Sequence, residues 1–279
     1  VGGVPVQPAR LNGEVPVRRW GRVVAGTLAG VLIAAAGFAQ FGRGPFRVRP
    51  NIPYDGRFTF VRLKYNTAPG GYWYGGWPAW GHGYPVAEQN LMRIMNELSY
   101  LNPHMDEINA IALDDPEIFK YPVAYIIEVD WWAMTDGEAA ALRAYLLKGG
   151  FLIVDDFKPR RFRGDVDSWG AGWEVFEAAM KRVMPEGRFL DLDASHGIFH
   201  AFFEIPRLDI IPQAYIAGRP IFRGLFEDND RSKRLQVIVN YNTDISQYWE
   251  WSGTGLRPID DTNEAYKLGV NYIVYGLTH

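Results

Sequence analysis

The sequence predicts an α/β domain with a mostly parallel sheet and helices on both faces. Three observations carry this. Val123–Val129 (VAYIIEV) and Phe151–Val154 (FLIV) are apolar runs of the kind found in strands buried on both faces. A capped helical segment lies between them, so strand, helix and strand make a βαβ unit with a right-handed crossover. Helical and strand-like segments alternate through the remaining chain, which is the layered α/β pattern.

The elements follow in order. Phe58–Lys64 (FTFVRLK) alternates apolar and polar residues and is expected to be a strand, with Arg62 pairing an acid on the sheet edge. Residues 66–85 form a loop rich in glycine and aromatic side chains. Val86–Leu101 is expected to be a helix, because Leu91, Ile94, Met95, Leu98 and Leu101 recur at helical spacing. Thr135 and Glu138 make a capping box, in which each side chain serves a backbone N–H of the first turn. That helix runs to Lys148 and stops at Gly149-Gly150, where a left-handed residue is needed.

A further helix is expected at 169–183, with Trp169, Trp173, Phe176, Met180 and Val183 as its core stripe. Short strands are expected at 188–192 and at Leu235–Asn240, the latter after a polar turn at Glu227–Lys233. The last helix starts at Asp261–Glu264 and carries Leu268, Tyr272 and Tyr275.

Composition narrows the function classes. The chain has 279 residues, 48% hydrophobic and 22% charged, which excludes a disordered chain. It has no cysteine, which excludes disulfides, thiolate metal sites and a cysteine nucleophile. The formal charge of −3 shows no basic excess, so no nucleic-acid partner is expected. No phosphate-loop motif and no G-x-S-x-G string is present, which argues against an ATPase and a serine hydrolase.

The N-terminal region reads as an export segment. Arg10, Arg18, Arg19 and Arg22 stand against Glu14 alone, and Val23–Phe38 is apolar without a charge. Gly37 and Ala39 are the small residues of a cleavage site that would leave Gln40 first. The alternative is an uncleaved anchor through 23–38, the only route by which a membrane contact is expected. Residues 1–39 are therefore signal or anchor, 40–57 a Pro/Gly/Arg-rich linker, and 58–279 a single domain. The expected location is the periplasm or cell surface.

Several strings carry a family resemblance: FVRLKY at 60–65, YPVAEQNL at 84–91, the stretch from Tyr121 to Phe157, HGIFHAFF at 196–203 and EAYKLGVNYIVYGLTH at 264–279. Together they resemble the bacterial domain-of-unknown-function family 4159. The resemblance implies a flavodoxin-like fold akin to class I glutamine amidotransferases, and an exported or membrane-associated protein. It also implies genes nearby for MoxR-type ATPases and von Willebrand A-type proteins, and no particular reaction.

Candidate site residues come from strand ends and loops. Asp130, Asp155 and Asp156 follow the two strands of the βαβ unit, and ligands of parallel sheets gather at the carboxyl ends of strands. With His196 they are the candidate acid–base or divalent-cation residues. The bland alternative is that Arg160, Arg161 or Arg163 neutralises the acids. His196 and His200 lie four residues apart, but Gly197 weakens a shared helical face, and His196 is the stronger candidate.

Tyr72, Trp73, Tyr74, Trp77, Trp80, His82 and Tyr84 share the aromatic loop, and Trp131 and Trp132 follow Asp130. Aromatic faces suit sugar rings or a partner protein; the alternative is that the loop buries its rings. Asn240, Asn242 and Asp244, with Trp249, Glu250 and Trp251 after them, would close the pocket if the last strand ends on the same side. The expected function is a non-catalytic binding or assembly role in the envelope, with an envelope protein or a glycan as partner and no cofactor. The alternative is a carboxylate-based hydrolase acting on carbohydrate, assisted by a divalent cation.

Overall fold

A computed structural model describes residues 2, 46–73, 75–157, 171–211 and 219–279. The expected signal or anchor at 23–38, together with Tyr74, Trp169, Arg160, Arg161 and Arg163, lies outside the described residues. Among the described residues no helix is long and apolar enough to cross a membrane. Phe46–His279 belong to one unit.

Seven strands of the described residues form one sheet. They are β1 (Val61–Lys64), β4 (Asn109–Ala112), β5 (Val123–Ile127), β6 (Phe151–Phe157), β7 (Phe189–Asp191), β8 (Ile221–Phe226) and β9 (Leu235–Tyr241). Their order is β4-β1-β5-β6-β9-β8-β7. The first five are mutually parallel, and β8 and β7 add an antiparallel end. β2 (Tyr72–Trp73) and β3 (Trp77–Pro78) make a separate antiparallel ribbon inside the aromatic loop.

The expected βαβ unit is present. β5 and β6 are parallel in register Val123↔Phe151 to Ile127↔Asp155. The helix between them, α2 (Asp136–Leu147), opens on the Thr135/Glu138 capping box. Gly149 follows with φ +108°, the left-handed conformation that ends it.

The other helices are α1 (Val86–Leu98), α3 (Ala171–Val183), α4 (Ile245–Glu250) and α5 (Ile259–Thr278). Side-chain parity sorts them into two layers. Gly276 of α5 lies so close to Val123 and Phe151 that an added Cβ would fall 2.8 and 2.6 Å from them. Phe176 of α3 packs on Phe189, whose pairing partner Leu225 sits opposite Val237. Val123, Phe151 and their i+2 partners therefore face α1, α4 and α5, and the alternate residues face α2 and α3.

One feature of the first face is polar. Arg62, Tyr125, Asp155 and Asn240 run across four adjacent strands, all fully buried. Arg62 Nε donates to Glu88 Oε1 of α1 at 2.6 Å, and its guanidinium sits 4.9 Å from the Tyr125 ring centre. Tyr125 donates to Asp155 at 2.6 Å, Asn240 to Asp155 at 3.2 Å, and Tyr272 of α5 to Asn240 at 2.7 Å. Arg62 does find an acid, as expected, but in the interior: β4 lies outside β1, so β1 is not an edge.

Segment 46–57, expected to be a linker, has no regular structure but is tied down. The Asn51 amide donates to Ala110 O at 3.0 Å and accepts from Ala110 N at 2.8 Å. Asn109 exchanges two further bonds of 3.0 Å with the Ile52 backbone. The segment thus runs along the outer side of β4. Phe46 packs on Trp77 and Trp80, with ring centres 4.9 and 5.2 Å apart.

The topology points to one location. Ranked along the chain, the parallel strands stand 2-1-3-4-5 across the sheet, so the order reverses between β1 and β5. In open α/β sheets the crevice at the carboxyl ends beside such a reversal is where ligands bind.

Candidate functional site

Three consecutive parallel strands at that rim end in the same unusual way. Glu128 after β5, Asp156 in β6 and Asn242 after β9 have φ of 48°, 52° and 60°. Left-handed backbone is uncommon outside glycine, is tolerated best by Asn and Asp, and is costlier at Glu128; strained backbone of this kind clusters at functional sites. All three are buried. Asp156 falls where the β6–β9 register shifts between Val154 and Phe157, so it is a bulge residue that re-aims its side chain. Glu128 closes β5 and opens a 3₁₀ turn, Val129–Trp131. Tyr65, just past β1, holds that corner by donating to Glu128 O at 2.7 Å and Ile127 O at 3.1 Å.

Glu128 and Asp156 meet a histidine from the aromatic loop. His82 Nδ1 lies 2.9 Å from Glu128 Oε1 and 3.4 Å from Asp156 Oδ2. The Trp73 indole donates to the second Glu128 oxygen at 2.9 Å, and its ring lies over His82 at 5.1 Å. Arg62 reaches the same loop from inside, donating to Trp80 O at 2.9 Å and His82 O at 3.3 Å. The buried ion pair with Glu88 thus fixes the segment that presents His82.

The electrostatics follow from this geometry. Burial disfavours a charged imidazole, but hydrogen bonds to Asp156 and Glu128 outweigh it and hold His82 well above its ordinary range. Burial, followed by the charges of Glu128, Asp130 and Asp156, pushes the Tyr65 phenol up. A raised histidine adds stability that is fully present below about pH 6.5 and is lost as pH rises through its folded-state value. With a chelator present, unfolding free energy is expected to fall as pH rises from 6.5 to 9. His82→Asn is expected to flatten that slope; equal slopes by urea denaturation would show that the imidazole stays neutral.

The predicted residues separate into groups. Asp156 and Asp130 lie at the rim as expected, Asp130 inside the 3₁₀ turn. Asp155 does not join them: it keeps the regular register opposite Ile127 and faces the helices with Phe151 and Ile153, while the bulge turns Asp156 away from it. Its Oδ1 accepts from Asn240 and from Ile245 N at 3.3 Å, and its Oδ2 from Tyr125 and from Ser246 N at 3.1 Å, so it anchors α4 to the sheet. Burial, the largest influence, pushes its carboxyl up to about 6.

His196 lies at the other end of the sheet, beside Phe226 and Tyr275, and Phe226 pairs with Leu235 at the start of β9. It caps the 3₁₀ turn Gly197–His200 through Ile198 N at 3.2 Å. His200 is held by Glu204 and Ala194 O. The structure therefore does not unite His196 with the aspartates.

The aromatic loop divides. Trp80 and Tyr84 are buried, and Trp77 is half-buried on Phe46. Tyr72 and Trp73 are 55% and 40% exposed. Trp132 is buried against Tyr65, and Trp131 is half-buried, packed so closely on Gly71 that an added Cβ would fall 2.6 Å from it. Asp244 caps α4 through Gln247 N at 2.9 Å, and Trp249 is buried, so this segment closes the Asp155 side of the rim.

Two site residues escaped the sequence reading. His82 was one ring among many in the loop, and Glu128 lay inside an apolar strand expected to continue to Val129. A charged residue interrupting VAYII–V is the signal that marks the true strand end.

The domain-of-unknown-function family model DUF4159 matches residues 59–277. The chain belongs to the DUF4159 family. No curated protein matches it. The match spans every strand of this DUF4159 domain, together with His82, Glu128 and Asp156.

Among the described residues of this DUF4159 domain, His82, Glu128 and Asp156 form the one group with metal-ligating geometry. Their donor atoms lie within 4.8 Å of one another. The same atoms are placed for proton exchange between an imidazole and two carboxylates.

Proposed function

We propose that this DUF4159 domain is an exported recognition module that binds an envelope glycan or partner protein at the carboxyl rim between β1 and β5. The observation that carries the reading is the exposed Trp73, whose ring lies over half-buried His82 and whose indole donates to buried Glu128, with exposed Tyr72 next to it in the chain. Aromatic faces take the apolar faces of sugar rings, and adjacent carboxylates and imidazole accept and donate hydrogen bonds to hydroxyls. The strand order 2-1-3-4-5 supports a flavodoxin-like relationship. Glu128 occupies a left-handed strand-to-helix corner of the kind that presents nucleophiles in other α/β folds, and it is not a thiol. The basic and apolar pattern of residues 1–39 supports export.

A second reading, favoured by the convergence of His82, Glu128 and Asp156, is a carboxylate-based hydrolase of carbohydrate. Titration of the chain with soluble envelope glycan fragments, followed by tryptophan fluorescence, tests both. Saturable binding weakened tenfold or more in Tyr72→Ala/Trp73→Ala is expected, since exposed aromatic anchors carry much of an interface's energy. Fragment cleavage in the same samples would favour the hydrolase. Neither binding nor cleavage, with a captured protein partner that still binds the double variant, would move recognition away from the aromatic pair.

A further inference from the structure

We infer that His82, Glu128 and Asp156 bind a divalent first-row transition metal ion through one imidazole nitrogen and two carboxylate oxygens. The inference deepens the proposed reading of the rim and rests on it only for the ligand that the metal would face.

The argument begins with distances. Metal–nitrogen and metal–oxygen bonds to zinc-like ions are about 2.0–2.2 Å, which places ligand atoms about 2.9–3.5 Å apart around one ion. His82 Nδ1 lies 2.9 Å from Glu128 Oε1 and 3.4 Å from Asp156 Oδ2. Two of the three edges therefore have the size of a coordination polyhedron, and the third stays within the 4.8 Å bound of the group.

The supports around the ligands are those a metal site requires. The second oxygen of Glu128 accepts from the Trp73 indole at 2.9 Å, which orients the carboxylate for single-oxygen ligation. The backbone at Glu128 is held by the Tyr65 hydroxyl, and that at His82 by Arg62. Each ligand is thus carried by a separate element: the end of β5, the bulge of β6 and the loop after β3. A ligand set drawn from three elements, with Glu128 and His82 tied from behind and Asp156 aimed by the bulge, is preorganised.

The donor chemistry selects the ion class. One imidazole and two carboxylates, without sulfur, suit Zn²⁺, Mn²⁺ or Fe²⁺. Three protein ligands leave at least one position for water or a ligand oxygen, as in metal sites that act on substrates rather than only stabilise a fold. Trp73 lies over the group, so the site adjoins the exposed aromatic pair.

The experiment is a titration of the full chain, stripped with chelator, with Mn²⁺ followed by loss of the free-ion EPR signal, and with Zn²⁺ followed by calorimetry. One ion per chain is expected. Glu128→Gln, Asp156→Asn and His82→Asn are each expected to weaken binding at least 100-fold while far-UV circular dichroism stays native. His196→Ala, at the other end of the sheet, is expected to bind as the parent does. No saturable binding of either ion overturns the inference, as does binding that survives all three ligand substitutions. A variant that fails to fold is replaced by the other two, which reach the same ion from separate elements. Tyr72→Ala, which leaves Trp73 and its bond to Glu128 in place, separates the two readings. Metal binding retained with glycan binding lost supports both. Metal binding without glycan recognition in the parent keeps the metal and overturns glycan recognition alone.

Discussion

Arg62→Met is expected to lower the unfolding free energy by about 3–5 kcal/mol, the usual cost of breaking a buried ion pair from one side. Arg62 and Glu88 are both fully buried. Removing the guanidinium leaves the Glu88 carboxylate without its partner and takes a donor from the carbonyls of Trp80 and His82. Burial already pushes Glu88 up against the pull of Arg62, so the orphaned acid is expected to become protonated. The loop that presents His82 loses its inner tether at the same time. Urea denaturation by circular dichroism measures the loss, and a change below 1 kcal/mol would mean that water replaces the guanidinium. Arg62→Met/Glu88→Leu is expected to regain most of the stability, because an apolar pair of similar volume replaces a buried ion pair well.

The second large effect belongs to Asp155. Asp155→Ala is expected to cost about 3 kcal/mol or more, since it removes the acceptor of two backbone N–H groups and of the Tyr125 hydroxyl, and each buried orphan costs about 1–3 kcal/mol. Asp155→Asn is expected to cost less. One amide face serves one N–H, while the other meets a second donor. The pH dependence identifies the residue. A carboxyl raised from 3.8 to about 6 stabilises the fold fully below its unfolded-state value and ceases to do so as pH rises through 6. Stability is therefore expected to fall between pH 4 and 6. Both variants are expected to lose that slope. A parent protein whose stability rises over this interval would show that the Tyr125 hydroxyl and α4 backbone stabilise the ionised form more than burial penalises it.

The legible parts of this molecule were those where several local signals agreed. The βαβ unit combines two apolar runs, a capping box and a terminating glycine, and each was found in place. β8 was illegible because Arg223 and Gly224 interrupt it. Arg223 lies over Trp173 with 4.1 Å to the ring centre, and a Cβ on Gly224 would fall 2.5 Å from Leu235. β4 is four residues, NAIA, with little strand character. The site divides in the same way. Asp156 could be placed at a strand end from sequence alone. Its turn away from Asp155 depends on a bulge, and its meeting with His82 depends on a loop that folds back over the rim. Glu128 and His82 stand 46 positions apart and are joined only by the order of the strands. His196 was misplaced for the converse reason, since a suggestive string does not state at which end of the sheet it lies.

The Asn51 contact with Ala110 has a consequence for behaviour in a crowded compartment. An open sheet advertises its outermost strands as templates for another chain, and that is the usual route to polymerisation. Here one outer strand meets a side-chain amide that imitates a passing peptide, donating to and accepting from the same residue. The opposite outer strand, β7, is three residues long and carries the Asp191–Arg223 ion pair at 2.8 Å. Among the described residues, then, neither margin offers a long row of backbone groups for a foreign strand. A strand from a second copy would therefore find few unpaired backbone groups at these two margins.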